Sequence, residues 1–444
     1  MKNKKGITLI ALVITIIILL ILAGVVLNLV IGEHGIIKLA EKAGKNYQDA
    51  SMYEQSELEK LYAEMTNGEL PENTPETDAG TKVKLPDEWK TVTPNYIEMA
   101  EGKIVKQSTM IATVEAISVG NGETVPVPIG FYYVGGDLSS GVVISDNIAD
   151  RNKYAGQRDV PSGIKVNADG TLGNEFAGNQ FVWIPCEYSG YTKTNWGQGK
   201  VTGRSNACWD TTVDEAGIIQ TKKYGGFYVG RFEAGLASNI EEYTSGQTWN
   251  ATVYNVEGIP QSKAGLIPWN FIDWTQSRKN ARNMYNTATV NSGLITGTQW
   301  DVMINKIASS DSTKSLTDSE NWGNHYNTTL TYTGRSATLA NNILSVFGQE
   351  ETNEAKNGNT YVLITTGGTD IAKAYNIYDV AGNVWEWTEE TSYYGANTTT
   401  EYRELRGGGF YYASDACPVC YRNGRLEAGD TNSDVGFRVV LYMK

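Results

Sequence analysis

Thiols and imidazoles carry much of the nucleophilic, redox and metal chemistry open to a protein, and this 444-residue chain has few of either. It has four cysteines, Cys186, Cys208, Cys417 and Cys420, and two histidines, His34 and His325. Two histidines cannot build a multi-histidine metal site, and a Ser-His-Asp arrangement would depend on His325 alone. His325 stands in the polar run Asn321-Trp322-Gly323-Asn324-His325-Tyr326, where a structural role is the simpler reading. No nucleophile elbow, P-loop or dinucleotide glycine fingerprint occurs. Carboxylates are plentiful, but spacing alone picks out no glycosidase pair. The pair Cys417-Pro418-Val419-Cys420 is open to redox chemistry, to a loop disulfide in an oxidising exterior, or to neither. Nothing around it reads as a strand leading into a helix N-terminus, the usual seat of redox pairs. These residues therefore predict no catalytic group, no metal ligand and no cofactor.

Binding types surround the same cysteines. Tyr411, Tyr412, Ser414, Asp415, Tyr421, Asn423, Arg425, Asp430, Asn432 and Asp434 combine large amphipathic rings with short polar groups, a mixture suited to adaptable recognition. They fall in a segment, 411–434, with neither helical nor strand periodicity. Its flanks are regular. Trp385 and Trp387 alternate with Glu386 as in a half-buried strand, Gly407 to Gly409 permit close backbone approach, and Arg438-Val439-Val440-Leu441 offers a closing strand. A rigid frame around an irregular aromatic segment predicts an exposed ligand-binding face.

Further elements must position that frame. Phe181-Val182-Trp183-Ile184-Pro185 and Tyr224 to Glu233 are dense enough in apolar and aromatic residues to be buried strands. Asp273 can cap a helix carrying Trp274, Ala281, Met284 and Tyr285, and Thr298-Gln299-Trp300-Asp301 matches the start of a second. Residues 309–360, rich in Ser, Thr, Asn and Gly, predict a loop-dominated insertion.

The spaced signatures Tyr378-Asp379-Val380-Ala381-Gly382-Asn383-Val384-Trp385-Glu386-Trp387, Arg406-Gly407-Gly408-Gly409-Phe410 and Gly436-Phe437-Arg438-Val439-Val440 resemble the sulfatase-modifying-factor / formylglycine-generating-enzyme family, a variant of the C-type lectin fold. The resemblance begins at Gly130-Phe131-Tyr132-Tyr133 and runs to the C-terminus. It implies an α+β, C-type lectin-like domain with high loop content. In the family's oxidases two cysteines separated by four residues in this loop bind copper. Counted from the glycine triplet, those positions fall on Tyr412 and Cys417, and a tyrosine supplies no thiolate. The same fold forms the ligand-binding end of proteins varied by diversity-generating retroelements, which implies a binding protein. A copper- or thiol-dependent oxidase and a structural pseudopilin subunit are the alternatives.

Residues 7–31 are uncharged and long enough to cross a bilayer as a transmembrane helix. Lys2, Lys4 and Lys5 before them and Glu33 after them predict a cytoplasmic N-terminus and an extracellular remainder. Residues 1–6 with Ile7-Thr8-Leu9-Ile10 resemble a type IV prepilin leader cut after Gly6. Ala11 stands where pilins carry the glutamate associated with assembly. Residues 32–65 have the apolar period of a helical stalk, with His34 at the interface, and 66–86 read as a Pro/Thr/Glu-rich linker. Residues 87–127 are expected to form a small β appendage and 128–444 the main domain. The expected partners are the membrane, an extracellular protein or glycan, and pilin-like neighbours. A net charge of −13 with no basic cluster beyond the N-terminus argues against nucleic acid.

Overall fold

The computed structural model describes residues 113–120, 122–194, 196, 208–209, 214–393 and 401–444, together with the short antiparallel strands Tyr96–Glu98 and Ile104–Lys106. The chain divides into two compact units, Met1–Thr109 and Met110–Lys444. The expected leader, membrane helix, stalk and linker fall in residues 1–86, outside the described residues. Among the described residues no helix is long and apolar enough to cross a membrane.

The second unit opens with a hairpin, β1 (Val114–Gly120) and β2 (Glu123–Pro128), turned at Gly122 in the left-handed region. Val119, Val125 and Val127 are buried in the main hydrophobic cluster, so the hairpin packs with the large domain rather than in a separate 87–127 appendage. Then come β3 (Tyr132–Gly135), β4 (Val143–Ser145) and β5 (Gln180–Pro185). Helix α1 (Glu215–Tyr224) precedes β6 (Gly226–Gly230), and α2 (Trp274–Asn283), β7 (Val290–Leu294) and α3 (Gly297–Ser310) follow. In the insertion lie β8 (Leu330–Gly334) and β9 (Glu351–Lys356). The chain closes with β10 (Trp385–Tyr393), β11 (Glu401–Arg406), β12 (Asn423–Leu426), β13 (Val435–Phe437) and β14 (Val439–Met443).

Two sheets organise these elements. One is antiparallel and six-stranded, in the order β7-β14-β6-β5-β4-β3. Its central strands are covered on both faces, which explains why Gly226–Gly230 is buried throughout and reads as a continuous apolar run. The other joins Cys208–Trp209, β10, β11 and β12 in that order, with β13 parallel to the first residues of β10. One large cluster unites Phe181, Trp183, Tyr228, Trp269, Trp385, Trp387 and Phe437.

The helix ends follow side-chain capping. Asp273 caps α2, as its position predicts, by accepting from the Gln276 amide at 2.7 Å. For α3 the cap is Thr296, two residues before the expected Thr298. Thr296 Oγ1 accepts from the Gln299 amide while the Gln299 side chain accepts from the Thr296 amide, completing the reciprocal box. Helix α1, absent from the sequence reading, is capped by Asp214 and ended by Gly225 at φ 75°. The insertion is also more regular than expected. Beyond β8 and β9, Ser336–Ala340 pairs with Ile343–Leu344 through Asn341 and Asn342, both left-handed as a two-residue hairpin turn requires.

Candidate functional site

The frame around the C-terminal segment is electrostatic as well as aromatic. Glu386, between two buried tryptophans, is itself fully buried, because β10 is covered on both faces. Its carboxylate meets the Arg438 guanidinium in a forked pair, with Nε 3.0 Å from both oxygens and Nη2 2.5 Å from one. Arg438 also donates to the carbonyls of Gly230, Tyr378 and Asp379, tying β10 and β14 to both neighbouring segments. Glu233 and Asp379 share this interior. Burial pushes Asp379 up to about 6 and Glu386 to about 7, Arg438 opposing both. Glu233 is raised well above the usual carboxylate range by burial first and by Asp379 and Glu386 next. One guanidinium thus faces three buried carboxyls.

The glycine triplet follows from contacts. Gly408 has φ 78°, and a Cβ there would lie 2.3 Å from the Cys417 carbonyl oxygen. A Cβ on Gly409 would crowd the Trp385 indole at 3.2 Å. These close approaches fold the chain back so that Tyr412 and Tyr421 flank Trp385, with ring centroids 5.6 and 6.0 Å away. Tyr412 continues to Tyr411 at 5.4 Å, Tyr411 to Tyr361 at 4.6 Å, and Tyr361 to Tyr326 at 5.7 Å. The result is an unbroken aromatic array that opens to solvent at Tyr361, 38% exposed, and Tyr411, 36% exposed.

Beneath its outer end, Ser414 Oγ donates to Asp318 Oδ1 at 2.9 Å and accepts from Asn327 Nδ2 at 3.1 Å, while the Tyr326 amide donates to the Tyr412 carbonyl. The insertion is thereby pinned to the C-terminal segment. Two polar atoms of the array's base, Trp385 Nε1 and Asn423 Oδ1, are buried without a hydrogen-bond partner.

The ten sequence candidates divide. Tyr412 and Tyr421 flank Trp385 and Tyr411 packs on Tyr412, with Asn423 at the start of β12 and Asp415 exposed beside Ser414. Asp430 is exposed on a separate turn, where Oδ2 accepts from the Glu427 amide. Arg425 lies within β12. Three candidates expected on an exposed face are interior. Ser414 is 1%, Asp434 4% and Asn432 9% exposed, because their segments bond to Asn327, to Trp385 and to Phe271. The stretch 411–434 also contains a strand, β12, where none was expected. Tyr326 and Tyr361 belong to the array and went unseen, since nothing in sequence links them to the C-terminal segment. Arg422 was passed over too. It turns inward, its Nε 3.1 Å from Glu390 and its Nη2 on Asp301, beside a buried Arg406–Asp301 pair at 2.8 Å.

Cys417 and Cys420 are buried, Cys186 is half-buried, and burial raises the Cys420 thiol. Tyr412 occupies the other position where a copper-binding thiolate is needed. Among the described residues no group of three or more His, Cys, Asp or Glu side chains is placed to hold a metal. His325 is fully buried, 2.8 Å from Ser319 Oγ, and burial lowers it to about 3.

A β-rich, loop-rich domain with this frame is a C-type lectin-like, formylglycine-generating-enzyme-like fold. The sequence profile of the sulfatase-modifying factor enzyme 1-like domain matches residues 198–443, more than half of the chain, and the chain belongs to that family. No curated protein matches. Similar solved structures include CarF, at 14% identity over 50% of this chain and 92% of that one, with a TM-score of 0.31. Treponema denticola variable protein 1 aligns at 13% identity over 60% of this chain and 96% of its own, with a TM-score of 0.29. The Major Tropism Determinant I1 variant aligns at 10% identity over 75% and 87%, with a TM-score of 0.27.

Proposed function

We propose that this protein binds a ligand, an extracellular protein or glycan, on the tyrosine array over Trp385, and that residues 7–31 hold it in the membrane with the domain outside. One observation carries the reading. Tyrosines from three separate stretches, Tyr326, Tyr361 and Tyr411 to Tyr421, join ring to ring in one array that Tyr412 and Tyr421 seat on a buried tryptophan, and two of the rings are open to solvent. Tyrosine gives large contact area at low conformational cost, and exposed Asp318, Glu320 and Asp415 supply a polar rim. Trp385 Nε1 and Asn423 Oδ1 leave a donor and an acceptor for a ligand that parts the covering rings. Oxidase chemistry at the same place is disfavoured by Tyr412 and by the burial of both nearby thiols.

The test uses the detergent-solubilised full chain on arrays of glycans and of extracellular proteins, beside its Tyr361→Ala/Tyr411→Ala variant. Anchor tyrosines each contribute on the order of 1 to 2 kcal/mol, so the variant should bind at least tenfold more weakly. Undiminished binding by the variant would reject the array as the binding face.

A further inference from the structure

Beneath the array, β9 ends on a lysine in the protein interior. Lys356 is 2% exposed, and no carboxylate pairs with it among the described residues. Its Nζ donates to Asn324 Oδ1 at 2.8 Å and to the His325 carbonyl oxygen. Burial with no anionic partner pushes the ammonium down to about 7, so a free amine is well populated at neutral pH. Asn324 is fully buried as well, and its amide plane is fixed. Nδ2 donates to the Val362 carbonyl at 3.0 Å and to Asn383 Oδ1 at 2.9 Å, and Asn383 Nδ2 donates to Glu233 at 2.7 Å. A carbonyl bond is about 1.23 Å long, so Asn324 Cγ lies within about 4 Å of the lysine nitrogen. An amine and a carboxamide are thus enclosed together, away from water.

We propose that Lys356 and Asn324 join in an intramolecular isopeptide bond. A free amine that donates its hydrogens keeps its lone pair, and a rotation of the last lysine torsion turns that pair onto Asn324 Cγ. The Nζ–Cγ bond forms, a proton passes from Nζ to Nδ2, the Cγ–Nδ2 bond breaks and ammonia leaves. One amide replaces another, with no oxidant, reductant or cofactor. The hydrogen bonds of Asn383 and Val362 are positioning contacts that hold the carboxamide still.

The product would clamp the 324–327 loop to the end of β9 across 32 positions of chain. Tyr326 lies on that loop, and the Thr360 amide beside Tyr361 donates to the Tyr326 carbonyl at 3.0 Å. The clamp would therefore hold the insertion's two tyrosines in register with Tyr411, and by closing a loop in the unfolded chain it would stabilise the fold. It stands whether or not the array binds a ligand.

Mass spectrometry of the protease-digested full chain decides the matter. The expected result is a branched species joining the peptides that contain Asn324 and Lys356, lighter than their sum by one ammonia, and absent from the Lys356→Met variant. Asn324→Asp should give the same branch with loss of water instead. Recovery of the two peptides from wild-type protein as separate, unmodified linear species would overturn the proposal, whatever the folding of the variants.

Discussion

The Glu386–Arg438 frame and the tyrosine array share one C-terminal stretch and the same fondness for aromatic residues, yet they face opposite ways. In the frame the central ion pair is enclosed and answered: Arg438 serves one carboxylate and three carbonyls with no exposure at all. In the array the rings touch mainly each other, two are open, and two polar atoms at the base have no partner. A group whose bonds are complete inside the fold has little left for a ligand, whereas open rings above unpartnered polar atoms can still offer contacts. The frame is thus where stability is concentrated, and the array is the face proposed for recognition.

The largest effect should come from breaking the frame. Arg438→Met leaves Glu386 buried without its partner and should cost about 3 to 5 kcal/mol in chemical denaturation. A cost near that of an exposed ion pair, below about 1 kcal/mol, would show that the interior readily rearranges around Glu386.

A smaller and pH-dependent effect is expected at Asp434, whose carboxyl burial raises from 3.8 to about 6. A raised carboxylate pKa favours the folded state while the group is protonated in both states, below about pH 4. That contribution is lost as pH climbs through about 6, when folding must bury the charge. Wild type should therefore lose on the order of 2 to 3 kcal/mol relative to Asp434→Asn between pH 4 and pH 7. Parallel stability curves for the two proteins would mean that the Asp434 carboxyl is not desolvated.

Much of the frame was legible because glycine, tryptophan and arginine at fixed spacing have few structural uses, and Asp273 announced its helix by side-chain chemistry alone. The inward turn of Glu386 was not legible. A period-2 strand pattern assigns it to solvent, and only the far-off Arg438 makes burial affordable. Helix α1 was hidden by a glycine, Gly217, inside its first turn and by its weak apolar stripe. The array was half legible: Tyr411, Tyr412 and Tyr421 lie in one segment, while Tyr326 and Tyr361 reach it through the β8–β9 insertion, a tertiary approach that no local pattern encodes. Ser414, Asn432 and Asp434 were misjudged for the same reason, since their backing partners Asn327, Phe271 and Trp385 are remote in sequence.

The claim that frame and face are separable is tested most directly by one thermal-melt comparison of Tyr361→Ala/Tyr411→Ala with Trp387→Ala. Removing the buried Trp387 should cost about 3 to 5 kcal/mol and lower the Tm by many degrees. Removing the two open rings forfeits mainly their aromatic contacts, and the double variant should lose about 1 to 2 kcal/mol at most. A double-tyrosine variant that melts as early as Trp387→Ala would place those rings in the structural core and contradict the assignment of the array to recognition.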